Sequence, residues 1–172
     1  MLRAHLGLGS NLGDRWATIG RAVERLCAID ADCAVSPIYE TAPVGGPAQG
    51  PYLNAVARLV VDLAPEGVLE LAAALEQEAG RVRLERFGPR TLDVDVLLLE
   101  RLGPGGCEPL SVDTERLQVP HPRLFERAFV LAPLEDLSPE LAPSGWRARL
   151  GGEAAVAAAV RKVGELVRAS AP

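Results

Sequence analysis

Two carboxylates and a run of arginines crowd into residues 80–100, GRVRLERFGPRTLDVDVLLLE. Arg81, Arg83, Arg86 and Arg90 surround the turn signal Phe87-Gly88-Pro89. Residues 91–99 then alternate apolar side chains with period two, the pattern of a strand. Residues two apart on a strand share a face, so Asp93 and Asp95 project together from Cα atoms roughly 6.5–7 Å apart. Leu92, Val94, Val96 and Leu98 are expected on the opposite, core-facing side. Paired carboxylates repel, and a hard divalent cation relieves that repulsion. Magnesium suits such an all-oxygen site, because it keeps waters and takes its remaining ligands from substrate phosphates. The arginines before the strand can grip the same phosphates as planar, permanently charged forks. A lone D-x-D is more often a solvated strand face paired with arginines. The arginine cluster in an otherwise acidic chain favours phosphoryl transfer instead.

A chain of 172 residues with net charge −5 reads as one domain able to bury a substantial core, and its acidity argues against a general nucleic-acid binder. Cys27, Cys33 and Cys107 are widely spaced without C-x-x-C, as buried free thiols of a reducing compartment would be. With no signal-peptide pattern and no membrane-length apolar run, the expectation is a cytoplasmic protein without a membrane partner.

The elements that must position these groups follow in order. Residues 2–9 alternate Leu2, Ala4, Leu6 and Leu8 against Arg3, His5, Gly7 and Gly9, which predicts a strand. GLGSNLGD lacks the third glycine of a dinucleotide loop, and its glycines are expected to let the chain leave the strand, with Asn11 or Asp14 capping the next helix. Residues 14–29 read as a helix burying Trp16, Ile19, Val23 and Leu26. A strand is expected over 33–40, a Gly/Pro-rich loop over 41–51 and a third strand over 52–62. On that strand Tyr52 and Asn54 share a face suited to a flat polar heterocycle. Pro65 opens a second helix that Gly80 closes. After the strand of Asp93 and Asp95, a turn at 103–106 leads to a short strand over 107–112. His121 is held between two prolines, either to bind phosphate or as a turn histidine hydrogen-bonded to backbone, ahead of a helix carrying Arg127 and Phe129. Residues 153–169 read as a structural, alanine-rich helix with Val156, Val160, Val163 and Val167 on one side. The strand-helix-strand-strand-helix-strand order predicts an α+β, ferredoxin-like βαββαβ sandwich, with an extra C-terminal hairpin and helices.

GLGSNLGDR, TAPVGGPAQGPYLNAV, GRVRLERFGPRTLDVDVLL and VPHPRLFERAFVLAPL occur in this order. Over roughly residues 1–140 the chain resembles the 6-hydroxymethyl-7,8-dihydropterin pyrophosphokinase family of folate biosynthesis. The resemblance implies transfer of pyrophosphate from ATP to the pterin hydroxymethyl group, with AMP released and two Mg2+ ions required. It implies Asp93 and Asp95 as metal ligands and Arg81, Arg90 and Asp95 as catalytic residues. Asp95 is the candidate acceptor of the hydroxyl proton. Glu76, Arg83, Arg116 and His121 fall at ATP positions, and Thr41, Val44, Tyr52, Asn54 and Phe129 at pterin positions. Arg86, Phe87 and Arg127 fall where loop closure orders the site. Phe87 stands where tryptophan is common in the family, and Pro122 where some members carry tyrosine. The expected partners are therefore ATP and the dihydropterin, with no nucleic acid, acting on a monomer. A non-catalytic ferredoxin-like nucleotide- or RNA-binding module shares the element order. Two Trp, two Tyr and three Phe, with no aromatic RNA-binding strand motif, weigh against the RNA form.

Overall fold

The computed structural model describes residues 1–43, 48–80 and 90–166. In chain order these form β1 (Leu2–Ser10), α1 (Arg15–Cys27), β2 (Ala34–Val35), β3 (Ile38–Thr41), β4 (Tyr52–Val61) and α2 (Pro65–Glu78). There follow β5 (Asp93–Gly103), β6 (Gly106–Leu110), β7 (Val112–Asp113), β8 (Gln118–Val119), α3 (Ala128–Leu137), α4 (Trp146–Arg149), α5 (Glu153–Ala159) and β9 (Val160–Gly164). The main sheet runs β6-β5-β1-β4-β3-β9, with β2 also on β4. Its strand pairs are antiparallel. A small β7–β8 ladder stands apart.

Period-two alternation gives this sheet two buried faces. On one, Leu2, Ala4, Leu6 and Leu8 of β1 meet Leu53, Ala55, Ala57, Leu59 and Val61 of β4. Ile19, Val23 and Leu26 of α1 and Val68, Ala72 and Leu75 of α2 cover them. Each such leucine or isoleucine contributes roughly 1.5–3 kcal/mol through burial. On the other face Tyr39, Val56 and Leu97 pack beneath Val130, Leu131 and Leu134 of α3, with Trp146, Val156 and Val160. Helices therefore lie on both sides of the sheet.

Local chemistry sets the element ends. Asp14, not Asn11, caps α1, its side chain accepting from the Ala17 amide at 3.0 Å. Trp16 is 38% exposed and lies outside the first core, its indole against Gly164 of β9. Ser36-Pro37 divides the expected second strand into β2 and β3, because Pro37 offers no ladder N–H. Pro65 is the first residue of α2, and Gly80 follows its end at φ +68°. The three cysteines are free thiols, but only Cys33 is buried; Cys27 at the end of α1 and Cys107 on the edge strand β6 are half-buried, correcting the expectation for those two. Among the described residues no helix is long and apolar enough to cross a membrane.

The C-terminal expectation needs correction. The helix predicted over 153–169 stops at Ala159, and Val160–Gly164 pairs instead with β3. Val160 and Val163 are β-branched, and β3 presents an edge whose backbone groups need partners. A ladder there satisfies that edge and buries Val160, whereas a longer alanine helix would leave it bare. Val167 lies outside the described residues.

Candidate active site

The sheet face opposite α1 and α2 is open at one end, forming a cleft of about 420 Å³. Its floor is set by register. Asp93 pairs with Gly9 and Asp95 with Gly7, and Gly9 pairs on its other side with Asn54. Both glycines lie within β1, so the expectation that they merely release the chain from the strand is corrected: they keep the floor low. A Cβ on Gly9 would stand 3.4 Å from Asn54 Oδ1 and 3.9 Å from Asp93 Cβ, and one on Gly7 would stand 3.4 Å from Leu97.

The alternation of β5 brings Asp93 and Asp95 onto this face. Arg90 Nη1 donates to Asp93 Oδ2, and Arg127 Nη1 donates to Asp95 Oδ2 at 3.3 Å. Burial, and then the charge of Asp93, raises the pKa of Asp95 above the usual carboxylate range. A β-bulge follows, with Leu97 and Leu98 together opposing His5. It turns Leu98 onto the second core, correcting its expected place beside Val94 and Val96. The bulge also anchors His121, whose N–H donates to the Leu97 carbonyl at 2.9 Å. His121 Nδ1 accepts from the Arg123 amide at 3.1 Å, so the neutral ring carries its proton on Nε2, which faces Asp95 Oδ2 at 3.9 Å. Burial lowers the His121 pKa and favours that neutral form.

Toward the other side of the cleft lie Thr41, Tyr52, Asn54 and Phe129. Asn54 Nδ2 donates to Thr41 Oγ1 at 2.9 Å, and both residues are buried. Tyr52 Oη donates to Gln49 Oε1 at 3.3 Å. The Arg127 guanidinium stands 5.5 Å from the centroid of the Phe129 ring. Two aromatic rings and a buried amide beside two arginine-bound carboxylates can hold a flat polar heterocycle at one end and phosphates with a cation at the other. Among the described residues no three His, Cys, Asp or Glu side chains converge as a metal cage, so a cation on Asp93 and Asp95 would take further ligands from solvent or substrate.

Not every candidate reaches the cleft. Glu76 Oε1 accepts from the Val94 amide at 2.9 Å, tying α2 to β5. Arg116 is exposed between β7 and β8, and neither residue lines the cleft. Val44, Arg81, Arg83, Arg86 and Phe87 lie outside the described residues.

Sequence reasoning missed the part played by Asn11. Its Oδ1 accepts from the Arg90 amide at 2.8 Å, and its own amide donates to the Arg90 carbonyl at 3.1 Å. Its Nδ2 donates to Gln49 Oε1 at 2.8 Å and to the Gly50 carbonyl at 3.3 Å. Asn11 thus pins Arg90 beside Asp93 and joins it to the segment that carries Tyr52. An asparagine just past a strand also reads as a helix cap, which hid this role.

Residues 5–139 match the family described as 7,8-dihydro-6-hydroxymethylpterin-pyrophosphokinase. The chain is 43% identical over 151 residues to the 2-amino-4-hydroxy-6-hydroxymethyldihydropteridine pyrophosphokinase of Methylorubrum extorquens, covering 87% of this chain and 90% of that protein. It is 44% identical over 136 residues to the Bacillus subtilis protein of the same name, covering 78% and 77%. Among solved structures, that of Plasmodium falciparum HPPK-DHPS A437G with pteroate superposes with a TM-score of 0.56 at 12% identity, over 87% of this chain and 42% of that one. The chain thus spans about two fifths of that solved chain, and at this identity the likeness concerns the fold alone.

Proposed function

Because the chain belongs to the 7,8-dihydro-6-hydroxymethylpterin-pyrophosphokinase family, we propose that it transfers the pyrophosphoryl group of ATP to the hydroxymethyl oxygen of 6-hydroxymethyl-7,8-dihydropterin and releases AMP. One observation carries this reading to the residues: a single cleft joins Asp93, Asp95, Arg90 and Arg127 to Tyr52, Asn54 and Phe129. A relative from Schizosaccharomyces pombe, 38% identical over 140 residues and named as folic acid synthesis protein fol1, supports a place in folate synthesis. That match covers 18% of the longer relative.

Magnesium fits the donor set. Asp95 sits where burial and a neighbouring carboxylate make its charge unfavourable, and a hard cation on both carboxylates would reverse that imbalance. When bound, Mg2+ would neutralise charge on the phosphate oxygens; two ions are part of this reading. The protein's own contribution is positioning and electrostatics. Tyr52 and Phe129 would sandwich the pterin ring, and Asn54, oriented by Thr41, would hydrogen-bond its edge. The hydroxymethyl oxygen then attacks the β-phosphorus in line, its O–H bond breaking as the new P–O bond forms and AMP departs opposite. Arg90 and Arg127 would offset charge on the transferring and departing oxygens. The raised proton affinity of Asp95 suits it to take the hydroxyl proton, and cation ligation works against that role. Arg81, Arg83, Arg86, Phe87, Val44, Glu76, Arg116 and His121 keep the roles that family resemblance implies.

The run β1-α1-β3-β4-α2-β5, with order β5-β1-β4-β3, supports a ferredoxin-like assignment in which β6, α3 to α5 and β9 are additions. A single domain acting as a cytoplasmic monomer belongs to the same reading. The decisive experiment is incubation with Mg·ATP and the reduced hydroxymethylpterin, followed by nucleotide analysis. AMP should form one-for-one with pterin consumed and should not form without pterin. Stoichiometric ADP would mean γ-phosphoryl transfer and would overturn the mechanism.

A further inference from the structure

The strand that displaces the expected C-terminal helix does more than cover an edge. Tyr52 of β4 pairs with Thr41 of β3, and Thr41 pairs with Val160 of β9. Directly paired residues present their side chains on one face of a sheet, so Tyr52, Thr41 and Val160 form a row across three strands. All three line the cleft, as does Ala159 next to Val160. Val160 is 8% exposed, packs in the second core with Val130, and ends the row. The carboxylates lie toward the opposite edge, since β1, β4 and β3 all separate their strand, β5, from β9.

The strand is held firmly. Arg161 Nη2 donates to Glu40 Oε1 at 2.6 Å. Lys162 Nζ meets Asp136 Oδ2 at 2.6 Å, and that carboxylate also accepts from Tyr39 Oη at 2.6 Å. These contacts link β9 to both β3 and α3, and the backbone ladder to β3 together with burial beside Val130 holds Val160 as a wall. It belongs to residues beyond the span 5–139 that matches the family model.

We propose that Val160, backed by Ala159, closes the ring end of the cleft and sets which dihydropterin ring this protein accepts. The inference rests on the pterin reading given above. In a fixed apolar wall one added or missing methylene shifts selectivity about 10-fold or more. Val160→Leu narrows the wall and Val160→Ala opens it, and neither touches a residue placed against the phosphates.

The test measures equilibrium binding of 6-hydroxymethyl-7,8-dihydropterin in the presence of a non-hydrolysable Mg·ATP analogue. The same analogue is titrated alone, and a panel of dihydropterins with one methyl at each ring position in turn is measured alongside. Val160→Leu should weaken pterin binding about 10-fold while changing the Kd of the nucleotide less than 2-fold. Val160→Ala should shift preference about 10-fold toward at least one methylated ring. If Val160→Leu does not fold, the preference shift in Val160→Ala decides alone. Equal weakening of both ligands, or an unchanged ring preference, would make β9 scaffold only and overturn the inference. Wild-type AMP release separates the two readings. Turnover with Val160 silent sinks this inference alone, pterin binding governed by Val160 without AMP sinks the catalytic reading alone, and absence of pterin binding sinks both.

Discussion

Replacing Asp95 by asparagine separates an active site from a structural ion-pair network. Asp93 and Asp95 carry like charges on one face of β5 about 7 Å apart. At that distance their repulsion is about 1 kcal/mol at an effective dielectric near 40, and about 2 kcal/mol at 20. Opposing this is the Arg127–Asp95 contact at 3.3 Å, with side chains 20% and 36% exposed. A pair that accessible contributes about 0.2–1 kcal/mol. Burial first and Asp93 second penalise the Asp95 charge, so Asp95→Asn relieves both while losing only that modest attraction. In EDTA the variant should melt within about 4 °C of wild type, on the higher side, taking about 2–4 °C per kcal/mol for a chain of this size. Mg·ATP at a hundredfold excess over Kd should stabilise wild type by about 2.7 kcal/mol, or roughly 5–10 °C, and most of that gain should vanish in the variant. Turnover should fall on the order of 10³, since an amide replaces a carboxylate that the cation needs. A purely structural pair predicts the reverse, a loss of about 3–5 kcal/mol from a charge left unpaired in the interior. An EDTA melt lowered by that much, with AMP release intact, would refute the assignment.

Two further outcomes follow from buried polar groups. Asn11→Ala removes the acceptor for the Arg90 amide and the donors to Gln49 and Gly50. It should cost about 1–2 kcal/mol in a urea melt and lower kcat about 10²-fold, with Asn11→Asp recovering part of the rate by keeping the Arg90 link; an unchanged kcat would show that Arg90 needs no such anchor. His5 is fully buried, donates or accepts at Ser138 Oγ at 3.0 Å, and has its pKa lowered from 6.5 to about 4 by burial, with Arg58 and Arg3 adding to the effect. The unfolded chain takes up this proton below pH 6.5 and the folded one does not until about pH 4, so stability should fall by about 3 kcal/mol across that window and stay flat above it. His5→Gln should remove that portion of the slope in denaturant melts at stepped pH, and an unaltered slope would place the acid sensitivity elsewhere.

Much of the scaffold was legible because it obeys local rules. The alternation of Leu2, Ala4, Leu6 and Leu8, the 3–4 spacing of Ile19, Val23 and Leu26, and Pro65 and Gly80 around α2 each name an element from neighbours in sequence. The errors share one cause, which is partners distant in the chain. Residues 153–169 carry an alanine-rich helical pattern, yet where α5 ends depends on the edge of β3, more than a hundred residues earlier. Leu98 fits the period of its strand, yet its face is changed by a bulge opposite His5 of β1. Trp16 continues the stripe of α1, yet its ring rests on Gly164.

The site divides along the same line. Asp93 and Asp95 were legible because two residues on one strand must share a face, whatever the rest of the chain does. Arg127 and His121 were legible only as residue types, since nothing local brings them to Asp95; the bulge at Leu97 does so by offering its carbonyl to the His121 amide. Gly7 and Gly9 carried a different lesson. A glycine in a strand weakens it and offers no side chain to pack, so two of them in a central strand imply that something else needs the space. Their register partners identify that space as the ground between Asp95, Asp93 and Asn54. The outer face of β1 is therefore built for the cleft just as its inner face is built for the core, and its fourfold apolar alternation reveals only the second.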